Sequence, residues 1–253
     1  MLQQPPYLQT GNGPERLAAR LDNLVGWVSF RGGEKGHRVI APGMPHHVTQ
    51  RGNRRQQTFF GEEDYQHYLE LISRFCRAEQ VAIWAYCLMP NHVHLIVVPQ
   101  SAESLRRAIG EAHCRYTRRI NFREGWRGRL WQGRFASFVM DEDHLLTAAR
   151  YVELNPVRAG LVQAPSRYRW SSAAAHLRGR DDALVQVAPL LQMAPNWRRL
   201  LTSAIREEEL KALRAHERTG RPLGDENFLA LLEQNLGRIL RRQKPGLKDV
   251  QAR

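Results

Sequence analysis

The sequence predicts an α+β fold built on a ferredoxin-like βαββαβ antiparallel sheet, and three observations carry that reading. Alternating and helically spaced segments succeed one another in the order β-α-β-β-α-β between residues 45 and 140. Met89-Pro90-Asn91 is a tight connection between two apolar runs, as in a hairpin. An extra helix comes after the last strand, and more helical sequence lies beyond it.

Residues 1–42 are of loop or disorder composition (Gln3-Gln4-Pro5-Pro6, Arg31-Gly32-Gly33) and are treated as an extension. Pro45 to Asn53 alternates His47, Thr49, Arg51 against His46, Val48, Gln50, a first strand. Glu62 to Gln80 has helical spacing, with acids at its start and Arg77 at its end, as the helix dipole prefers. Val81 to Met89 is β-branched and aromatic, a second strand, and His92 to Pro99 is a third. Ser104 to Phe122 is a helix with an apolar stripe and a basic face. Arg134 to Met140 is a fourth strand. Asp141 to Leu154 is a helix that stops at Asn155-Pro156. Domain boundaries are set at 43–180 for the sheet domain and 181–253 for a helical appendage, with one helix over Trp197 to Glu217 and another over Asp225 to Arg242.

Composition narrows the function classes. No apolar run approaches the roughly 20 residues of a membrane span, and residues 1–13 lack a secretory pattern, so a cytosolic protein is expected. Three scattered cysteines form neither a disulfide framework nor a metal knuckle. The net charge of +13 is concentrated: Ser101 to Met140 holds nine Arg against three Glu. Such clustering favours a nucleic-acid surface, because guanidinium groups match phosphates and stack on bases.

The third strand carries the chemistry. His92 and His94 are two apart, so they share one face, and imidazole is a frequent ligand of divalent metals. The helix after the fourth strand holds Tyr151, with Asn155 four residues on and on the same face. Two imidazoles and an amide oxygen suit Mg2+ or Mn2+ with open positions, and such an ion polarises a phosphodiester. A tyrosine hydroxyl beside it can attack phosphorus covalently. Tyr116, within the basic helix, is the competing tyrosine. A histidine-triad hydrolase is excluded by Ile96 at the third position. His46 and His47 are read as structural or DNA-facing.

Several blocks then resemble a known family. His92-Val93-His94 resembles the His-hydrophobic-His motif of the HUH endonuclease superfamily. Met89 to Ile96 (MPNHVHLI) is similar to its single-tyrosine transposase branch, the REP-associated tyrosine transposases. The resemblance continues through Pro45 to Arg55 (PHHVTQRGNRR), Trp131 to Phe135 (WQGRF), Arg150 to Gly160 (RYVELNPVRAG), Trp170-Ser171-Ser172 and Arg221 to Gly224 (RPLG). It implies the HUH nuclease fold and a metal-dependent endonuclease and strand transferase on single-stranded DNA. Such enzymes cut beside palindromic hairpins, the repetitive extragenic palindromes of bacterial chromosomes, through a 5′-phosphotyrosine. The resemblance makes Tyr151 the nucleophile and His92, His94 and Asn155 the ligands of Mg2+ or Mn2+. DNA contacts are expected from Arg54, Arg55, Arg134 and Arg158 within these blocks. Arg115, Arg118 and Arg119 on the basic helix and Trp131 as a stacking ring complete the expected DNA surface. A monomer or homodimer at the bacterial nucleoid is expected. The alternative is a hairpin-DNA-binding protein that does not cut.

Overall fold

The computed structural model describes residues 39–241. Most of the expected N-terminal extension, up to residue 38, lies outside the described residues. The sheet domain keeps the order of the sequence: β1 (His46–Arg51), α1 (Glu62–Ala78), β2 (Val81–Met89), β3 (His92–Pro99), α2 (Ser104–Glu124) and β4 (Ala136–Val139). The strands lie in the order β2-β3-β1-β4 and every pairing is antiparallel. That is the ferredoxin-like arrangement, with β3 and β1 in the middle.

Alternation gives the sheet two faces. Val48, Val93, Leu95 and Val97 are fully buried on one of them. α1 and α2 pack together in the layer over that face. α1 starts at Glu62, Glu63 and Asp64 and ends at Arg77, so its charges complement its dipole. Between these helices lies an aromatic cluster. Tyr68 Oη meets His113 Nε2 at 2.8 Å, and Tyr116 Oη donates to the Thr58 carbonyl at 2.6 Å.

The other face is covered by helices C-terminal to β4. α3 (Glu142–Glu153) runs into a one-turn helix α4 (Asn155–Arg158) through Leu154, which keeps right-handed backbone angles. Short helices α5 (Ala173–Arg178), α6 (Ala188–Met193) and α7 (Trp197–Thr202) precede α8 (Glu207–Thr219) and α9 (Glu226–Leu236). α3 touches β2 and β3, and α8 touches β4 and β1. The C-terminal helices of the expected appendage therefore pack on the sheet domain. They belong to one compact unit with the sheet, and they hold α3 in place. Glu153 is fully buried and accepts from Ser172 Oγ at 2.6 Å, His176 Nδ1 at 2.6 Å and Trp197 Nε1 at 2.7 Å. Arg150 bonds Ser203 Oγ and Glu209.

One helix expected from the sequence is two. The stretch 197–217 breaks at Ser203, whose backbone is extended, and α8 restarts at Glu207-Glu208-Glu209. The Arg206 N–H donates to Glu209, which satisfies one orphan donor of the new helix start. Three acids in a row are a helix N-terminus signal, and they compete against a continuous helix here.

Both sheet edges are closed, and two of the sequence blocks do it. Trp170-Ser171-Ser172 runs along β2: the Leu88 N–H donates to the Trp170 carbonyl and the Ser172 N–H to that of Tyr86. Leu223 of the RPLG block bonds Val139 and Asp141 at β4. Gly224 has to be small, because a Cβ there would lie 2.8 Å from Asp141 Oδ2 and closer still to Phe228. Covered edges prevent strand addition by another chain. No described helix is long and apolar enough to cross a membrane.

Candidate active site and metal centre

The antiparallel register assembles the site. His94 pairs with Thr49 and His92 with Arg51, so His47, Thr49 and Arg51 of β1 share a face with both β3 histidines. α3 lies over this face. The Tyr151 ring centre is 5.7 Å from that of His94 and 6.2 Å from that of His47. The His92 and His94 rings are 5.0 Å apart. Asn155, one turn beyond Tyr151, is buried, and its amide nitrogen has no partner within the described protein. The Arg158 guanidinium carbon stands 4.2 Å over the Tyr151 ring. Tyr151, His92, His94 and Arg158 are thus brought to one place, with Asn155 one helical turn beyond Tyr151.

Burial sets the protonation states. It pulls the His92 imidazole down to about 4, with the nearby Arg51 charge adding to the effect. His47 is pulled to about 3 by burial. His94 lies well below the ordinary histidine value through burial first, then through His47, His92, Arg51 and Arg158. All three rings are neutral at pH 7, the form that binds a metal. His92 Nδ1 is 2.6 Å from Asn91 Oδ1, which leaves Nε2 as its open nitrogen. His94 Nδ1 is 3.0 Å from His47 Nε2, which likewise leaves Nε2 open. Two neutral imidazoles, each held through its far nitrogen with Nε2 left open, fit a divalent ion.

Two residues of this site were not assigned to it by sequence reasoning. His47, read as structural or DNA-facing, stacks on His94. Its phase with Thr49 and Arg51 was the available signal, but only the register with β3 gives that phase a meaning. Glu217 of α8 brings Oε1 to 3.6 Å from His94 Nδ1 and 3.7 Å from His47 Nδ1. Burial pushes its carboxyl up to about 7, against the opposing charges of Arg51, Arg158 and Arg214. Burial therefore opposes both charges an ion pair would need. His47, His94 and Glu217 offer ligand atoms within 4.8 Å of one another, a second donor group that shares His94. No local pattern marks Glu217, because packing of α8 on the sheet delivers it. His46 is structural: it takes the Ala41 N–H at 3.1 Å and meets the Met44 carbonyl at 2.8 Å.

The competing tyrosine is elsewhere. Tyr116 is fully buried in the layer of α1 and α2. Trp131 is corrected as a stacking ring: it is 5% exposed and packs against Tyr68, His113 and Tyr116. The WQGRF loop tucks it inward because the Asn53 N–H donates to Leu130 and the Gln132 N–H to Arg51, folding the loop back on β1. Arg115, Arg118 and Arg119 are exposed on α2, which belongs to the far layer. Arg54, Arg55 and Arg134 are exposed in loops at the end of the sheet where β3 begins. Arg54 and Arg55 have φ of 52° and 62°, left-handed values that cost about 1–2 kcal/mol each for residues with a Cβ. Gly52 permits the turn, since a Cβ there would lie 2.2 Å from the Gln56 carbonyl oxygen. The Gly52 N–H donates to the Asn91 carbonyl, which ties this arginine turn to the residue before His92.

Residues 42–155 match the family model described as IS200-like transposase. The matched segment is a little under half of the chain. It contains His47, His92, His94, Tyr151 and Asn155, and it ends before Arg158 and Glu217. Two solved structures are similar to parts of this chain. One is a REP-associated tyrosine transposase bound to a REP hairpin, at 21% identity and a TM-score of 0.47, over 60% of this chain and 90% of that one. The other is a candidate transposase from Deinococcus radiodurans R1, at 18% identity and a TM-score of 0.34, over 47% of this chain and 96% of that one. Comparison with curated proteins gives no match.

Proposed function

We propose that the chain is a metal-dependent endonuclease and strand transferase that cuts single-stranded DNA beside a palindromic hairpin. Tyr151 is the nucleophile. Its phenolic oxygen attacks the phosphorus, the bond from phosphorus to the 3′ oxygen breaks, and the DNA strand leaves with a 3′ hydroxyl. The 5′ phosphate stays on the tyrosine, and the reverse attack by a 3′ hydroxyl rejoins DNA. The observation that supports this most is the placement of Tyr151 over the face bearing His92 and His94.

His92, His94 and Asn155 would hold Mg2+ or Mn2+, which supplies a Lewis acid to the phosphodiester. Arg158 fixes the Tyr151 ring from above and brings a cation beside the phosphate that reaches it. Arg51, Arg54, Arg55 and Arg134 surround the same end of the sheet and would hold the flanking phosphates. Arg115, Arg118 and Arg119 would meet DNA only where it passes round to the far layer. The physiological partner is read as hairpin DNA of the bacterial chromosome, met in the cytoplasm.

The test is incubation of a single-stranded hairpin oligonucleotide with the wild type and with Tyr151→Phe and Tyr116→Phe variants, in Mn2+ or Mg2+. Cleavage and a covalent adduct are expected for the wild type and Tyr116→Phe, and neither for Tyr151→Phe. An adduct that persists in Tyr151→Phe would overturn the assignment. Tight hairpin binding with no cutting by any of the three would favour a DNA-binding role instead.

A further inference from the structure

We infer that α8 reaches into the metal centre: Glu217, acting through His47, fixes the tautomer and orientation of His94. The inference rests on the proposed metal site at His92, His94 and Asn155. Glu217 lies outside the segment that matches the transposase family, 62 residues beyond its end.

The protons on the ring nitrogens decide the direction of each bond. A neutral imidazole has one bare nitrogen and one N–H. A ligand nitrogen must be bare. His94 Nδ1 is taken up by His47 Nε2 at 3.0 Å, so the ligand nitrogen of His94 is Nε2 and its proton is on Nδ1. That N–H donates to His47 Nε2, which must then be bare. The proton of His47 is thereby forced onto its Nδ1. This atom is buried and has no hydrogen-bond partner, and Glu217 Oε1 is the carboxylate oxygen that faces it, at 3.7 Å. Oε1 is also buried without a partner. The two orphans are a donor and an acceptor, each the complement of the other, and a side-chain adjustment of about 1 Å joins them. The chain of contacts then runs from Glu217 to His47 to His94, with the outer nitrogen of His94 left for the metal. Histidine ligands are commonly oriented by such a carboxylate, and loss of the outer partner costs about 10–100-fold in metal affinity.

Geometry gives this a second consequence. Glu217 sits at the C-terminal end of α8, which packs on β1 and β4. Whatever favours the metal on His94 also favours α8 in its place, and by linkage the docking of α8 favours the metal.

The test measures Mn2+ binding to the full chain without DNA, by titration of free Mn2+ with electron paramagnetic resonance. Glu217→Gln is close to isosteric, and His47→Phe interrupts the same chain one link nearer the metal. Both are expected to weaken Mn2+ binding about 10–100-fold. At saturating Mn2+ the histidine-nitrogen couplings of the bound ion should stay those of the wild type. Amides of 210–219 should exchange more slowly on adding Mn2+ to the wild type, and at an unchanged rate in Glu217→Gln. His92→Ala separates the two readings, since it should abolish binding if the site is at His92 and His94. Wild-type affinity in Glu217→Gln, with binding lost in His92→Ala, overturns the role of Glu217 alone. Binding lost in Glu217→Gln but kept in His92→Ala overturns both, because the ion would then sit directly on His47, His94 and Glu217. Absence of Mn2+ binding by the wild type also overturns both.

Discussion

The two faces of the sheet each bury a histidine-tyrosine cluster, and they differ in how their polar atoms are satisfied. Over the far face, Tyr68 meets His113 and Tyr116 donates to the Thr58 carbonyl, leaving Trp131 Nε1 as the orphan of the group. Over the near face, His47 Nδ1, Glu217 Oε1 and the Asn155 amide nitrogen are all buried without partners. An unpaired buried polar group costs about 1–3 kcal/mol, so three within one small region are a sizeable burden on the fold. On the near face, the orphans of His47 and Glu217 are a donor and an acceptor that face one another at 3.7 Å.

Breaking this contrast gives the predictions. The largest effect belongs to Tyr151→Phe, which should lower hairpin cleavage on the order of 10^4-fold or more, as loss of a covalent nucleophile does. Chelation with EDTA should stop cleavage by the wild type, and added Mn2+ should restore it. His94→Ala should not be restored at the same Mn2+ concentration. Oligonucleotide cleavage on a denaturing gel reads both.

Glu153→Ala should act on the scaffold. It strands the donors of Ser172, His176 and Trp197, at about 1–3 kcal/mol each, so unfolding stability should fall by more than about 3 kcal/mol. The chemical-denaturation midpoint measures it. Tyr116→Phe sharpens the contrast from the other face. It should cost about 1–2 kcal/mol of stability through the lost bond to Thr58 and leave cleavage unchanged.

The smallest effect is a pH dependence at the start of α3. Asp141 caps this helix and meets His144 Nδ1 at 2.6 Å. That bond raises the His144 imidazole above its ordinary value, against partial burial. Burial would lift the Asp141 carboxyl, but the bonds from His144 and from the Asp225 N–H outweigh it and hold it below the ordinary value. The histidine contribution is complete below about 6.5 and fades as pH rises through the raised value. The aspartate contribution is complete above about 3.9 and fades as pH falls through the lowered value. His144→Ala should therefore destabilise measurably at pH 5.5 and much less at pH 9 in thermal melts.

Local pattern made much of this legible. The alternation of β1 and β3, the Met89-Pro90-Asn91 connection and the dipole-matched ends of α1 are all short-range signals, and the structure has those elements. Spacing within a strand put His92 and His94 on one face, and the structure has their rings side by side with Tyr151 beside His94. Residues whose role depends on packing between distant segments were not legible. Trp131 reads as a free aromatic in a glycine-rich loop, and its burial comes from backbone bonds to β1. His47 needed the register of another strand. Glu217 needed the whole path through α7 and α8, including the break at Ser203 that a continuous amphipathic pattern hides. The WSS and RPLG blocks were visible as motifs, yet their covering of the two sheet edges is a tertiary property.

The central claim is that the tyrosine above the histidine face is the one that takes the DNA. The direct measurement is peptide mapping of the adduct formed with a hairpin oligonucleotide and Mn2+, by nuclease trimming, trypsin and mass spectrometry. Trypsin cuts after Arg150 and Arg158, so Tyr151 falls in the peptide YVELNPVR, whereas Tyr116 falls in YTR. The account predicts a nucleotide phosphate on Tyr151 of YVELNPVR. The same mass on Tyr116, or on any other tyrosine, would contradict it.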